Sequence, residues 1–303
     1  MTVRTLMPAF FAGLLLSACS QASVIDEEIV IQGSDTEVQL VSALVEVFSA
    51  AHPNARISVA GGGSAVGIAA LINGEADIAN SSRQMKPEEI AIAQEKGRNP
   101  QEFILARDGL SVIVHPSNPV VTLSVDQVGK IYKGEIENWK EVGGPDEPIV
   151  LYGRQSTSGT FGFFRDVVLK ADYAASMRQM EGTQAIVDGV TADRQGIGYA
   201  GVGYVAERNG TVKSGIKVVT IAATEGVDAV SPLDMESVMS GKYPIFRRIY
   251  QYLPQAPADD SLLKMLLRFE MSVEGQDVIR QQGFYPLTPE DLLQNQALLD
   301  PLP

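Results

Sequence analysis

The sequence predicts an α/β protein of two lobes, with a discontinuous outer domain and a second domain inserted into it. Strand-like and helix-like segments alternate from Ile29 onward, which is the pattern of crossover units packed on a sheet. Three of the strand-to-helix turns are rich in Gly, Ser and Thr, the composition of loops that hold an anion on free amides and hydroxyls. Two crossings, one near Arg107-Asp108 and one in the β-branched run Val218-Val219-Thr220-Ile221, divide the chain into an outer domain of 19–107 with 222–303 and an inserted domain of 108–221.

The chain opens with Arg4, an apolar run from Met7 to Leu16, and then Leu16-Ser17-Ala18-Cys19. A run this short with small residues behind it predicts a lipoprotein signal peptide over 1–18 rather than a membrane span. Cys19 is then the lipidated first residue of the mature chain. It is the only cysteine, so no disulfide is expected within the chain.

Glu28 to Gln32 reads as a strand, followed by the turn Gly33-Ser34-Asp35-Thr36 and a helix with Val41, Leu44, Val45 and Phe48 on one face. Ile57 to Ala60 leads into Gly61-Gly62-Gly63-Ser64 and a second helix, which Asn73-Gly74 should stop. Ala76 to Asn80 reads as a short strand running into Ser81-Ser82-Arg83, Lys86 to Lys96 as a helix, and Leu110 to Val114 as an apolar strand closed by His115-Pro116. Ser124 with Gln127 fits a capping box for a helix through Tyr132. Pro148 to Tyr152 delivers the third polar turn, Arg154-Gln155-Ser156-Thr157-Ser158-Gly159-Thr160, ahead of a helix with Phe161, Phe164, Arg165 and Val168 in phase. The tail predicts helices over Asp234–Ser240, Ser261–Glu270 and Ser272–Gln282, the last stopped by Gly283.

In the third turn an arginine fork precedes several hydroxyls and a helix N-terminus, whose unpaired amides and partial positive charge suit an oxyanion. Ser158 reads either as a ligand hydroxyl or as a plain N-cap. One such turn would be ordinary capping, but three point to a shared anion. The formal charge is −13, which disfavours nucleic acid as a partner. An anion can still be bound locally, because screening removes distant charges over about 8 Å. Gly196-Ile197-Gly198-Tyr199-Ala200-Gly201 has the letters of a dinucleotide fingerprint but follows polar Asp193-Arg194-Gln195 and fails on context. Gly62 to Gly67 has phosphate-loop spacing but carries Ile68-Ala69 where Lys and Ser/Thr are needed. His52 and His115 are the only histidines, which leaves little for a zinc centre or a His-driven triad. No metal or cofactor is expected.

Across these motifs the chain resembles the PstS-like phosphate-binding components of bacterial ABC transporters, within the type II periplasmic-binding-protein fold. The resemblance extends to Asp77-Ile78-Ala79-Asn80-Ser81-Ser82-Arg83, Ile136-Glu137-Asn138-Trp139, Gly196-Ile197-Gly198-Tyr199 and Gly241-Lys242-Tyr243-Pro244. It implies a lipid-anchored, monomeric, non-enzymatic receptor of the periplasm or cell envelope that delivers inorganic phosphate to a permease in the inner membrane. It implies a site made of Thr36, Ser64, Arg154, Ser158, Gly159 and Thr160. Much of that family carries a carboxylate where Ser82 stands here, and a carboxylate can only accept a hydrogen bond, which selects a protonated phosphate over sulfate. Asp35 is the candidate replacement acceptor, or else a cap for its own helix. Arg83 either completes the anion's shell or pairs with a surface carboxylate. Ser82 leaves sulfate, tungstate and molybdate open as ligands. From other classes, a phosphatase with Ser64 or Ser158 as nucleophile and a surface protein with a relic site stand as alternatives.

Overall fold

The computed structural model describes residues 28–207 and 209–300; the expected signal peptide and Cys19 lie outside the described residues. The β-branched run Ile29-Val30-Ile31 favours a strand, β1 (Glu28–Gly33), along which burial alternates. A polar turn passes to α1 (Val38–Ala51), which buries Leu40, Val41, Leu44 and Phe48. The chain continues through β2 (Arg56–Ala60), α2 (Ser64–Asn73), β3 (Ile78–Ser81) and α3 (Pro87–Glu95) to β4 (Gln101–Val114). Then follow β5 (Thr122–Ser124), α4 (Val125–Lys133), β6 (Val150–Arg154), α5 (Gly159–Phe164), β7 (Arg178–Met180), α6 (Thr183–Ala192), β8 (Gly196–Gly201) and α7 (Val202–Val205). The last elements are β9 (Lys217–Ala222), α8 (Met235–Met239), β10 (Phe246–Leu253), α9 (Leu262–Met271), α10 (Val273–Gln281) and α11 (Pro289–Leu299).

Several local expectations hold for stated reasons. Ser124 and Gln127 form the capping box that opens α4, and Gly134 closes that helix in the left-handed conformation. Gly74 does the same for α2. The Gly196–Gly201 motif is a fully buried strand, β8, and so is not a phosphate-binding turn. The helix after the Arg154 turn starts as α5 and continues as a π-helical turn over Arg165–Leu169.

The strands form a continuous path β2-β1-β3-β10-β4-β8-β6-β7, with β9 pairing β4 and β5. β1 runs parallel to β2 and β3, while β10 is antiparallel to both β3 and β4. β4 is far longer than the 110–114 strand expected from sequence. Its residues 101–109 pair with β10, and from Leu110 onward it pairs with β8 and β9. Nearly every residue of β4 is buried, as befits a strand covered on both faces.

Two sets of buried side chains lie to either side of that change of partner. Ile29, Leu40, Leu44, Phe48, Phe103, Leu105 and Leu266 belong to one cluster; Leu110, Val112, Trp139, Phe164, Tyr199 and Ile221 belong to the other. The sequence assigns residues from 222 to the outer domain, whereas Val238, Tyr243 and Ile245 pack in the second cluster with Leu110 and Ile221. β9, taken as the second crossing, pairs with the 112–114 end of β4. The chain passes back at β10, whose Phe246 faces Gly109 in register. Both β10 and α11 escaped the sequence reading.

Close backbone contact seats α2 on β1. A Cβ added at Gly67 would lie 2.2 Å from the Gln32 carbonyl oxygen and 2.6 Å from Gly33 Cα. Backbone cannot yield as a flexible side chain can. Gly67→Ala should therefore destabilise the protein by about 1–3 kcal/mol, read as a fall in the urea midpoint without a change in slope.

Candidate functional site

The turn after β1 begins at Gly33, whose φ of +145° brings it so close to β3 that a Cβ would overlap the Asn80 carbonyl at 2.2 Å. Ser34 N donates to that same carbonyl at 2.9 Å. This fixes Ser34, Asp35 and Thr36 over the ends of β1 and β3. Gly63 N donates to Gly33 O at 2.9 Å, and Ala65 N to Thr157 O at 3.0 Å. The second polar turn is thereby bound to the first turn on one side and to the Arg154 turn on the other.

Hydroxyls from the three turns and from the end of β3 converge. Thr36 Oγ1 and Thr160 Oγ1 are 3.0 Å apart, Ser82 Oγ and Thr160 Oγ1 3.2 Å, and Ser64 Oγ and Ser82 Oγ 3.4 Å. Ser34 Oγ donates to Ser82 Oγ at 3.1 Å. All five residues are buried. Gly159 sits against the group so tightly that a Cβ there would meet Ser64 Oγ at 2.3 Å and Ser82 Oγ at 2.9 Å. Ser158 accepts from Thr160 N at 3.2 Å and Phe161 N at 3.4 Å. Its side chain is the N-cap of α5, and its hydroxyl hydrogen remains available to donate.

Arg154 is only 1% exposed. Its Nη1 donates to Thr183 Oγ1 at 3.1 Å, and its Nη2 donates to Asp35 Oδ2. The backbone N–H of Arg154 donates to Tyr199 Oη at 3.0 Å, while burial pushes the Tyr199 phenol up to about 12, so the ring stays neutral. Asp35 does not cap its own helix: Glu37 occupies the N-cap position of α1. Instead Asp35 Oδ1 accepts from Gly62 N at 2.8 Å, and its carbonyl accepts from Tyr204 Oη at 2.7 Å. The expected acceptor is thus tied to the facing arginine. Arg154 Nε and Thr157 Oγ1 are buried without a hydrogen-bond partner among the described residues. Buried polar groups ordinarily find partners, so these two mark capacity for a ligand.

Arg83 is corrected. Its Nη1 and Nη2 donate to the two Glu89 carboxylate oxygens at 2.8 and 2.7 Å, and Nη1 also donates to the Gln84 carbonyl. Burial is the largest influence on the Glu89 carboxyl and pushes it up, but the bonds from Arg83 and from the Lys86 amide bring it below its ordinary value. This bidentate pair commits the Arg83 guanidinium away from the hydroxyl group.

A second guanidinium comes from a residue the sequence reading missed. Arg247 on β10 donates from Nη1 to Thr160 Oγ1 at 3.0 Å and to the Ser82 carbonyl at 3.1 Å. Its Nε and Nη2 donate to Asp108 Oδ2 at 3.0 and 2.8 Å, and Asp108 Oδ1 accepts from Val202 N at 3.0 Å. The only available signal was the aromatic and β-branched content of Phe246, Ile249, Tyr250 and Tyr252, which favours a strand. Asp108 and Thr183 carried no motif of their own, and Ser34 stood in the first polar turn without being singled out.

Two guanidiniums, several hydroxyls, a helix N-terminus and the carboxylate of Asp35 together present many donors and few acceptors, which suits an oxyanion that retains a proton. Neither histidine is near. His52 stacks on Phe48, and His115 bonds to Ser117. Ser64 Oγ lies against Ser82, and Ser158 Oγ accepts from the α5 amides, so among the described hydrogen bonds neither hydroxyl is paired with a histidine or a carboxylate. Among the described residues no group of three or more His, Cys, Asp or Glu is placed to hold a metal ion.

Comparison with known proteins shows the family. The chain matches the PBP superfamily domain over residues 19–274. It is 31% identical over 271 residues to the phosphate-binding protein PstS of Pseudomonas aeruginosa, covering 84% of this chain and 81% of that one. Among solved structures it is similar to a phosphate-bound protein from Clostridium perfringens that is described as a phosphate ABC transporter substrate-binding protein, with a TM-score of 0.74, 28% identity and coverage of 86% and 100% of the two chains. An ABC-type phosphate transport receptor from Vibrio cholerae gives a TM-score of 0.68, 28% identity and the same coverage. With that fold, those relatives and polar turns meeting around two buried arginines, the chain belongs to the PBP superfamily as a PstS-like phosphate-binding protein.

Proposed function

We propose that the protein is a lipid-anchored receptor of the cell envelope that captures inorganic phosphate between its two lobes and delivers it to an ABC permease. It acts as a monomer and catalyses no reaction. The observation that carries the reading is the meeting of Asp35 and Arg154 across the cleft, with Thr36, Ser64, Ser82 and Thr160 beside them. A dehydrated phosphate needs many donors and at least one acceptor for its remaining hydrogen, and this set supplies both. The relatives named for phosphate binding and transport support the same ligand. Anchoring follows from Leu16-Ser17-Ala18-Cys19, with a partner or second contact adding firmness to a single lipid chain. Among the described residues no helix is long and apolar enough to cross a membrane.

Opening and closing of the lobes about β4 and β10 would admit and enclose the ligand. Ser82 in place of a carboxylate leaves phosphate selectivity to Asp35. That carboxylate repels a fully ionised sulfate and accepts from a protonated phosphate.

Two outcomes test this. Titration calorimetry of Arg154→Ala with phosphate should show affinity reduced about a hundredfold or more, since bonds from a charged donor contribute about 1.5–3 kcal/mol each; unchanged affinity rejects the assignment. Asp35→Asn gains an amide donor, so it should bind phosphate more weakly while sulfate becomes a better competitor. Equal phosphate-to-sulfate ratios in both proteins would remove Asp35 from selectivity.

A further inference from the structure

Next to the hydroxyl group lies a second polar cluster that the anion site does not use. Glu37, Asn80 and Gln251 are 0% exposed and Glu270 is 1% exposed. Glu37 follows Thr36 directly and precedes α1. Asn80 lies on β3 next to Ser81 and Ser82, and Gln251 on β10 stands opposite it in register. Glu270 on α9 accepts from Gln251 Nε2 at 3.3 Å. Both Glu37 carboxyl oxygens, both ends of the Asn80 amide, Gln251 Oε1 and Glu270 Oε2 have no hydrogen-bond partner among the described residues.

So many buried oxygens are costly if both carboxyls are ionised. A carboxyl that keeps its hydrogen becomes a donor to the amide oxygens around it. The charged groups facing Glu37 are Arg247 on β10, Asp108 on β4 and Glu270 on α9, with the Ser34 hydroxyl beside it. Burial pushes the Glu37 carboxyl well above its ordinary value; Ser34 and Arg247 pull it down, while Asp108 and Glu270 push it further up. Burial likewise pushes Glu270 up to about 8, against the bond from Gln251.

We propose that Glu37, Asn80, Gln251 and Glu270 form a proton-holding cluster coupled to the anion site, so that phosphate binds best while the cluster is neutral. The inference rests on the phosphate reading above. Coupling runs through Arg247, whose charge acts on Glu37 and which donates to Thr160 and the Ser82 carbonyl, and through the peptide shared by Thr36 and Glu37. A negative charge on Glu37 repels the incoming anion and draws on the field of Arg247. By linkage, a bound anion makes the cluster keep its hydrogens more firmly, so binding at alkaline pH takes up protons.

The test uses the full chain and inorganic phosphate, with affinity measured by calorimetry from about pH 7.5 to about 9.5 in buffers of differing ionisation heat. Over the upper part of that range phosphate itself stays a dianion. The unsubstituted protein should lose affinity by about fivefold or more, the lower end of usual couplings between sites, and should take up protons on binding. Glu37→Gln and Glu270→Gln should each flatten the slope and reduce the proton uptake. Glu270→Gln carries the test alone if Glu37→Gln does not fold. It also has a second readout: a carboxyl neutral when folded and ionised when unfolded makes stability fall as pH rises from 4.5 to about 8, and this fall should shrink in the variant. Identical pH slopes and proton uptake in all three proteins would overturn the inference while leaving phosphate binding intact. No binding of phosphate by the unsubstituted protein at any pH would overturn both the inference and the receptor reading.

Discussion

A guanidinium buried to 1% exposure must meet negative charge or leave the fold strained by an unpaired ion, and Arg154 meets it in Asp35 from the other side of the chain. The two residues come from turns at the ends of different strands, β6 and β1, so their pairing brings those turns together. Thr36, Ser64, Ser82 and Thr160 are buried beside them. Buried hydroxyls need partners, and here they use one another, with spacings between 3.0 and 3.4 Å. The demand for polar satisfaction in a dry cleft therefore organises the loops.

Arg247 extends the same logic to the frame of the molecule. It stands on β10, the strand that returns from one hydrophobic cluster to the other, and Asp108 stands on β4 near the residue where that strand changes partner. Their ion pair lies beside that change of partner. Because Arg247 also donates to Thr160 and to the Ser82 carbonyl, strand pairing there and the cluster of hydroxyls share one side chain. Phe163 packs over the Arg247 guanidinium at 5.4 Å, which fixes its direction further.

Close backbone approach is the other constraint that makes the site possible. Gly33, Gly63, Gly67 and Gly159 each stand where a Cβ would collide with a neighbouring strand, turn or helix. At Gly63 the neighbour is the Thr157 carbonyl at 2.6 Å, in the Arg154 turn. The three-glycine turn thus has a packing reason beyond its free amides. Aromatic packing supports the opposite side: Phe164 stacks on Tyr199 at 4.2 Å, and Tyr199 accepts from the Arg154 backbone.

The sequence by itself determined the α/β class, the three polar turns and most of the hydroxyls that meet where those turns converge, because capping and glycine chemistry act over a few neighbouring residues. Gly33 to Thr36, Gly61 to Ser64 and Arg154 to Thr160 were legible for that reason. Tertiary structure alone decided the roles of Arg83 and Asp35. Arg83 turned to Glu89 and Asp35 to Arg154, and local spacing cannot rank one carboxylate or arginine above another across the fold. It also decided that β10 carries Arg247, and that residues from 222 to 245 stay with the second hydrophobic cluster. Strand pairing and ion pairing at separations of more than a hundred residues depend on which surfaces meet, and that is settled only when the whole chain has packed.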